Sequence, residues 1–120
     1  MSELGHIARH TGDMTQARRI YQETIKGFQD LGNRSAIAHQ LECFAFIAIS
    51  EEEPQRAAKL FGTAEALRER INAPMTDQER IEYDQAAAQL RSLLAETEFN
   101  SLWAEGRALT IEQAIQFALN

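Results

Sequence analysis

Three histidines and one cysteine are the side chains with the widest chemical range in this chain. His6 and His10 stand four residues apart, so on a helix they share one face. Together with His39 and Cys43 they are the residue types that bind zinc. The spacing argues against a metal centre, because there is no close cysteine pair and no H-E-x-x-H. A two-histidine face is ordinary on a surface helix, and no metal is expected. The carboxylates are plentiful and no more specific. Glu51, Glu52 and Glu53 read as a solvated turn and helix start, and Glu79, Glu82 and Asp84 as an exposed helix face. Tyr83 beside Asp84 is not a catalytic pair by spacing alone. Ser35, Ser50, Ser92 and Ser101 lack a nucleophile-elbow context such as G-x-S-x-G. No G-x-x-x-x-G-K-[ST] phosphate loop is present. The expectation is a chain that is not an enzyme and carries no cofactor.

Bulk properties narrow the class further. At 120 residues the chain has the length of one domain, and its 44% apolar share is ordinary for a globular protein. The formal charge is −6 and uneven. Residues 1–50 carry five basic and five acidic side chains, whereas residues 51–120 carry seven basic and thirteen acidic ones. Nucleic-acid binding wants a basic face to neutralise phosphates, so direct contact with nucleic acid is not expected. One cysteine allows no intrachain disulfide. The longest apolar run, Phe44 to Ile49, falls far short of the ~20 residues of a membrane span. The N-terminus has no signal-peptide pattern. These features predict a soluble, cytoplasmic protein without membrane contact.

The elements read as helix almost throughout. Leu4, Ile7 and Ala8 recur at helical spacing over residues 2–11, and Gly12 and Asp13 suit a stop and a new N-cap. Ala17, Ile20, Tyr21, Thr24, Ile25, Phe28 and Leu31 form an i, i+3, i+4 stripe that Gly32 closes. Residues 34–50 are apolar on most sides and so should be buried on most sides. A fourth helix follows Pro54 with Ala57, Leu60, Phe61, Ala64, Leu67, Arg68 and Ile71, and ends at Asn72-Ala73-Pro74. Thr76 and Glu79 form a capping box for a fifth, which should reach about Ala95 with Ile81, Ala87, Leu90, Leu93 and Leu94 inward. Phe99, Leu102, Trp103 and Gly106 mark a short sixth helix with Trp103 in the core. Thr110 opens the last, with Ile111, Ala114, Ile115, Ala118 and Leu119 inward. The fold class is all-α with about six to seven helices. Ala17, Tyr21 and Thr24 also recur as Ala57, Phe61 and Ala64, forty positions on, and such a period marks stacked helical units.

That echo resembles the tetratricopeptide family. Leu4-Gly5, Gly12-Asp13, Ala17 and Tyr21 match its motif in order, with Thr24 in the small position; Ala57, Phe61 and Ala64 match in a second unit. Phe44-Ala45 and Glu52-Glu53 depart from it. Residues 60–74 and 103–114 are similar to the extreme C-termini of large bacterial regulators that join an ATPase core to a tetratricopeptide-like array. The resemblance implies two helix pairs in a right-handed stack over residues 1–74, closed by capping C-terminal helices over 75–120, the whole forming one compact unit. On that pattern His6, Arg9, His10, His39, Glu42, Phe46 and Ile49 line a concave groove. Phe46 and Ile49 either face a partner there or are covered by a C-terminal helix folding back. The implied function is a non-catalytic protein–protein interaction module, the C-terminal segment of a bacterial signalling ATPase or transcriptional regulator that contacts a protein partner or other domains of that regulator. The alternatives are a small-molecule sensor with its ligand in that groove and a self-associating structural domain that forms a homodimer.

Overall fold

The computed structural model describes residues 14–119. Six helices account for most of them: α1 Met14–Leu31, α2 Arg34–Ser50, α3 Pro54–Ile71, α4 Asp77–Leu93, α5 Glu96–Arg107 and α6 Ile111–Leu119. No strand occurs among the described residues, so the fold is all-α. The helix expected over residues 2–11 and the Asp13 cap lie outside the described residues.

The helix boundaries follow from local chemistry. Gly32 has φ +70°, a left-handed conformation that glycine takes without strain. The chain can then fold back so that the Asn33 amide donates to the Phe28 carbonyl at 2.9 Å. The Asn33 side chain in turn accepts from the Ala36 amide and caps α2. Pro54 opens α3, where a missing amide proton costs nothing. The end of α3 differs in cause from the proline expectation. Asn72 itself turns left-handed, at φ 55°, and the Ala73 amide reaches back to Arg68 at 3.0 Å. The capping box of α4 is complete: Thr76 accepts from the Glu79 amide, and Glu79 accepts from the Thr76 amide at 2.9 Å. Thr110 and Gln113 repeat this reciprocal pair at the start of α6.

Packing centres on α2 and α3. Eleven successive or near-successive positions of α2, from Ile37 to Ala48, are buried, as its all-round apolar character predicts. It lies between α1 and α3, with α4 and α6 touching its remaining sides. The second large contact of α3 is with α5, not with the helix that follows it in sequence. Two glycines make that contact possible. A methyl group on Gly62 would fall on the Trp103 carbonyl oxygen, and one on Gly106 on the Lys59 carbonyl oxygen. With backbones this close, Thr63 donates its hydroxyl proton across to the Gly106 carbonyl at 2.8 Å. Arg56 caps the carbonyl end of α6, donating to Phe117 and Ala118 at 2.9 Å each. Arg70 does the same for the turn after α5, donating to the Arg107 carbonyl at 3.1 Å.

Three residues expected inward point outward. Leu31 is 80% exposed, Ile81 62% and Leu93 54%. Burial along α1 fades toward its end: Ile25 is fully buried, Phe28 half-buried and Leu31 lies beside the turn. α4 meets its neighbours along a narrow stripe of Tyr83, Ala86, Leu90 and the capping Leu94. At about 100° per residue, Ile81 lies roughly 160° round the helix from Tyr83, on the opposite face. α4 also ends at Leu93 rather than Ala95. No described helix is long and apolar enough to cross a membrane.

Candidate functional site

The side chains with chemistry gather where α4 crosses α2 and α3. Glu42 on α2 is 2% exposed and Arg68 on α3 is 8% exposed. They meet as a two-pronged pair: Arg68 Nε donates to Glu42 Oε2 at 2.7 Å and a terminal nitrogen donates to Oε1 at 3.0 Å. Such parallel bonds between ionised groups are among the stronger hydrogen bonds. A further Arg68 nitrogen donates to the Ala73 carbonyl at 3.2 Å, tying the pair to the α3–α4 turn. His39 Nδ1 lies 3.5 Å from Glu42 and 3.2 Å from Glu79. Its Nε2 lies 3.7 Å from Cys43 Sγ. Glu79 also approaches Arg68, at 3.7 Å. One carboxylate thus caps α4 and binds α4 to α2 and α3.

The charges decide what this cluster can do. Burial opposes charging of His39, yet the Cys43 sulfur and the carboxylates of Glu42 and Glu79 outweigh it and push its pKa up to about 10. Burial would raise the Glu79 carboxyl, but the Thr76 amide, His39 and Arg68 hold it below its ordinary value. Burial opposes the charge on Arg68 too, and Glu42 more than restores it. His39 is therefore protonated near neutral pH and cannot accept a proton as a general base. Cys43 is fully buried, out of reach of a substrate. Among the described residues no group of three or more His, Cys, Asp and Glu could hold a metal ion. The cluster is occupied with itself and serves as a clasp.

Beside the clasp runs an aromatic layer. Phe46 meets Phe61 edge-on at 5.6 Å between centroids, and Phe61 meets Tyr83 at 5.2 Å. Trp103 stacks on Phe61 at 6.1 Å and approaches Phe99 to 5.0 Å. Such offset and edge contacts are favourable beyond the area they bury. The Trp103 indole donates to Glu65 at 3.0 Å. Arg107 bridges Glu65 and Glu69 at 2.6 Å each. Burial, with Glu65 and Glu42 nearby, pushes the Tyr83 hydroxyl above its ordinary range. Two cavities flank Tyr83 and Glu65 beneath α4. One of about 340 Å³ is bounded by Arg68, Pro74 and Arg80, and one of about 510 Å³ by Ala87, Arg91, Phe99 and Trp103.

The groove residues expected from the sequence separate into three groups. His6, Arg9 and His10 lie outside the described residues. His39 and Glu42 do come together, but in the clasp with Arg68 and Glu79 rather than as an open polar lining. Phe46 is 8% exposed and packs on Phe61, and Ile49 is half-buried against the core. Phe46 and Glu42 are therefore not presented to solvent. Glu79 is not part of a solvated face either, since it pairs inward. Trp103 is half-buried and packed against the core, close to its expected place. Sequence reasoning missed the pairing of Glu42 with Arg68, although a signal existed. Each is a charged residue within an apolar stripe, one acidic and one basic. No protein-family model, curated protein or solved structure matches the chain.

Proposed function

We propose that the chain is a non-catalytic protein–protein interaction module, tetratricopeptide-like in its helix pairs. In this reading it forms the C-terminal segment of a bacterial signalling ATPase or transcriptional regulator in the cytoplasm. One observation carries the reading. The echo positions Ala17, Tyr21, Ala57, Phe61 and Ala64 are all fully buried, and Thr24 is 3% exposed. Burial at both sets of echo positions is what stacked helical units require, and it supports the reading. The clasp fits the reading, because its ionisable groups are engaged in holding helices together. A contact role suits the acidic second half, which offers charge for recognition and partner choice.

The test is site-specific photo-crosslinking in bacterial cytoplasm. A crosslinker is placed at exposed Gln85 or Ala88 on α4, and at exposed Glu23 on α1. Discrete adducts with another protein at some positions, and none at others, are the expected result. Uncrosslinked, monomeric protein at every position, together with turnover in a substrate screen, would overturn the reading.

A further inference from the structure

We propose that the larger cavity between α4 and α5 is a binding site for a small aromatic carboxylate. Its volume of about 510 Å³ falls within the roughly 300–1,000 Å³ usual for small-ligand sites. The space exists because the facing walls carry small residues, Ala87 and Ala88 on α4 and Ala104 on α5. Between them half-buried Trp103 and Tyr83, their rings 6.3 Å apart and nearly perpendicular, line the cavity with aromatic surface.

The charges around the cavity select a carboxylate and orient it. Glu65 on the α3 side is already held by the Trp103 indole and by Arg107. Arg107 is likewise committed to Glu65 and Glu69. Arg91 differs. Its guanidinium carbon sits 5.0 Å from the centre of the Phe99 ring, and no carboxylate lies within ion-pair distance of it among the described residues. The cation–π contact sets the guanidinium against the ring, and its paired N–H donors remain for a carboxylate. Asn100 lines the same cavity. Asp84 stands seven residues before Arg91 on α4, about 10 Å along the axis, at the opposite end of the cavity. A ligand carboxylate is repelled from the Asp84 end and attracted to Arg91, while its ring rests on Trp103 and Tyr83. This site is independent of the interaction reading above and could stand if that reading fell.

The test is a titration of the full 120-residue chain, labelled with nitrogen-15, with benzoate, 4-hydroxybenzoate and indole-3-acetate. Benzamide serves as the uncharged control. The Trp103 indole signal is unique, since the chain has one tryptophan. The expected result is saturable shifts confined to α4, α5 and that indole. Arg91→Gln, at an exposed position, should weaken binding by roughly tenfold or more, the scale of a charge-assisted contact. Ala87→Leu should block it while leaving shifts elsewhere unchanged. If Ala87→Leu disturbs the fold, Arg91→Gln decides alone. The proposal is overturned by the absence of saturable shifts up to about 10 mM, where a fragment-strength ligand would be largely bound. Equal affinity for benzamide, or unchanged binding by Arg91→Gln, also overturns it.

Discussion

Breaking the Glu42–Arg68 pair one partner at a time should destabilise the chain far more than removing both. Both side chains are nearly out of water, at 2% and 9% exposure, and bonded at 2.7 and 3.0 Å. Removing one partner leaves the other as an uncompensated buried charge, which costs about 3–5 kcal/mol. The two ends are not equivalent. Without Glu42, Arg68 retains the Ala73 carbonyl at 3.2 Å and Glu79 at 3.7 Å. Without Arg68, Glu42 retains only His39 among the described residues, at 3.5 Å. Arg68→Met should therefore fall at the upper end of that range and Glu42→Leu at the lower. At about 2.1 cal/mol/K per residue, 120 residues give an unfolding entropy of about 250 cal/mol/K, so 1 kcal/mol shifts Tm by about 4 °C. The single variants should lose roughly 12–20 °C, followed by circular dichroism at 222 nm with urea melts as a check. The Glu42→Leu/Arg68→Met double variant replaces a desolvated pair by apolar groups and should recover to within about 1 kcal/mol of the parent, or exceed it. Single variants within 4 °C of the parent, or a double variant that loses the sum of both, would refute the account of a closed, buried pair.

Other expectations follow from the same geometry. Because the folded pKa of His39 lies above the ordinary 6.5, its stabilisation is full below about pH 6.5 and is lost as pH rises toward about 10; urea midpoints should fall across that window and fall less in His39→Gln. Glu79 has the opposite sign, its pKa being depressed, so its contribution is lost as pH falls below the ordinary carboxylate range, and Glu79→Gln should flatten the acid limb of the same curve. Gly106→Ala should destabilise by about 1–3 kcal/mol or more and shift Trp103 fluorescence, because its methyl group meets the Lys59 backbone. Gly27→Ala, inside α1 with open space around it, should instead stabilise by about 0.5–1 kcal/mol in thermal melts. Thr76→Ala should cost about 0.5–2 kcal/mol by urea titration, since it removes half of the α4 capping box.

What was legible in the sequence was whatever rests on local rules. Gly32, the Thr76–Glu79 box and Pro54 act within a few residues of their own position, so their effects could be read from spacing. The all-round apolar character of α2 also translated directly into burial. The long-range pairings were harder, because a helical stripe says that a face is covered and not by what. Ile81 is apolar and so reads as core, yet the inward face of α4 is set by Tyr83, Ala86 and Leu90, which leave Ile81 opposite. Glu79 looked solvated for the converse reason. Its capping role used one carboxylate oxygen and gave no sign that the other would meet His39. Gly62 and Gly106 fall in segments whose sequence resembles other C-termini but gives no packing reason for a glycine. Only the crossing of α3 and α5 shows why a side chain is not tolerated at either one.

The fold divides into a tightly held pair of contacts and a loosely held helix. α2–α3 and α3–α5 bury large, continuous surfaces, and the second is drawn close by two glycines. α4 has only Ala86 and Leu90 fully inward over its seventeen residues, and two cavities lie beneath it. Its N-terminal end is held instead by charge: Glu79 reaches His39 and Arg68 across the helix boundary. Electrostatic clasps of this kind contribute position more than net stability, because desolvation offsets most of their attraction. That division accounts for the space under α4. A helix fixed by a clasp at one end and by Leu90 and Leu94 at the other need not fill the gap between, so small residues such as Ala87 and Ala88 suffice there. A ligand in that gap would gain contacts without displacing any core side chain. It would also press on a helix whose packing leaves it room to respond.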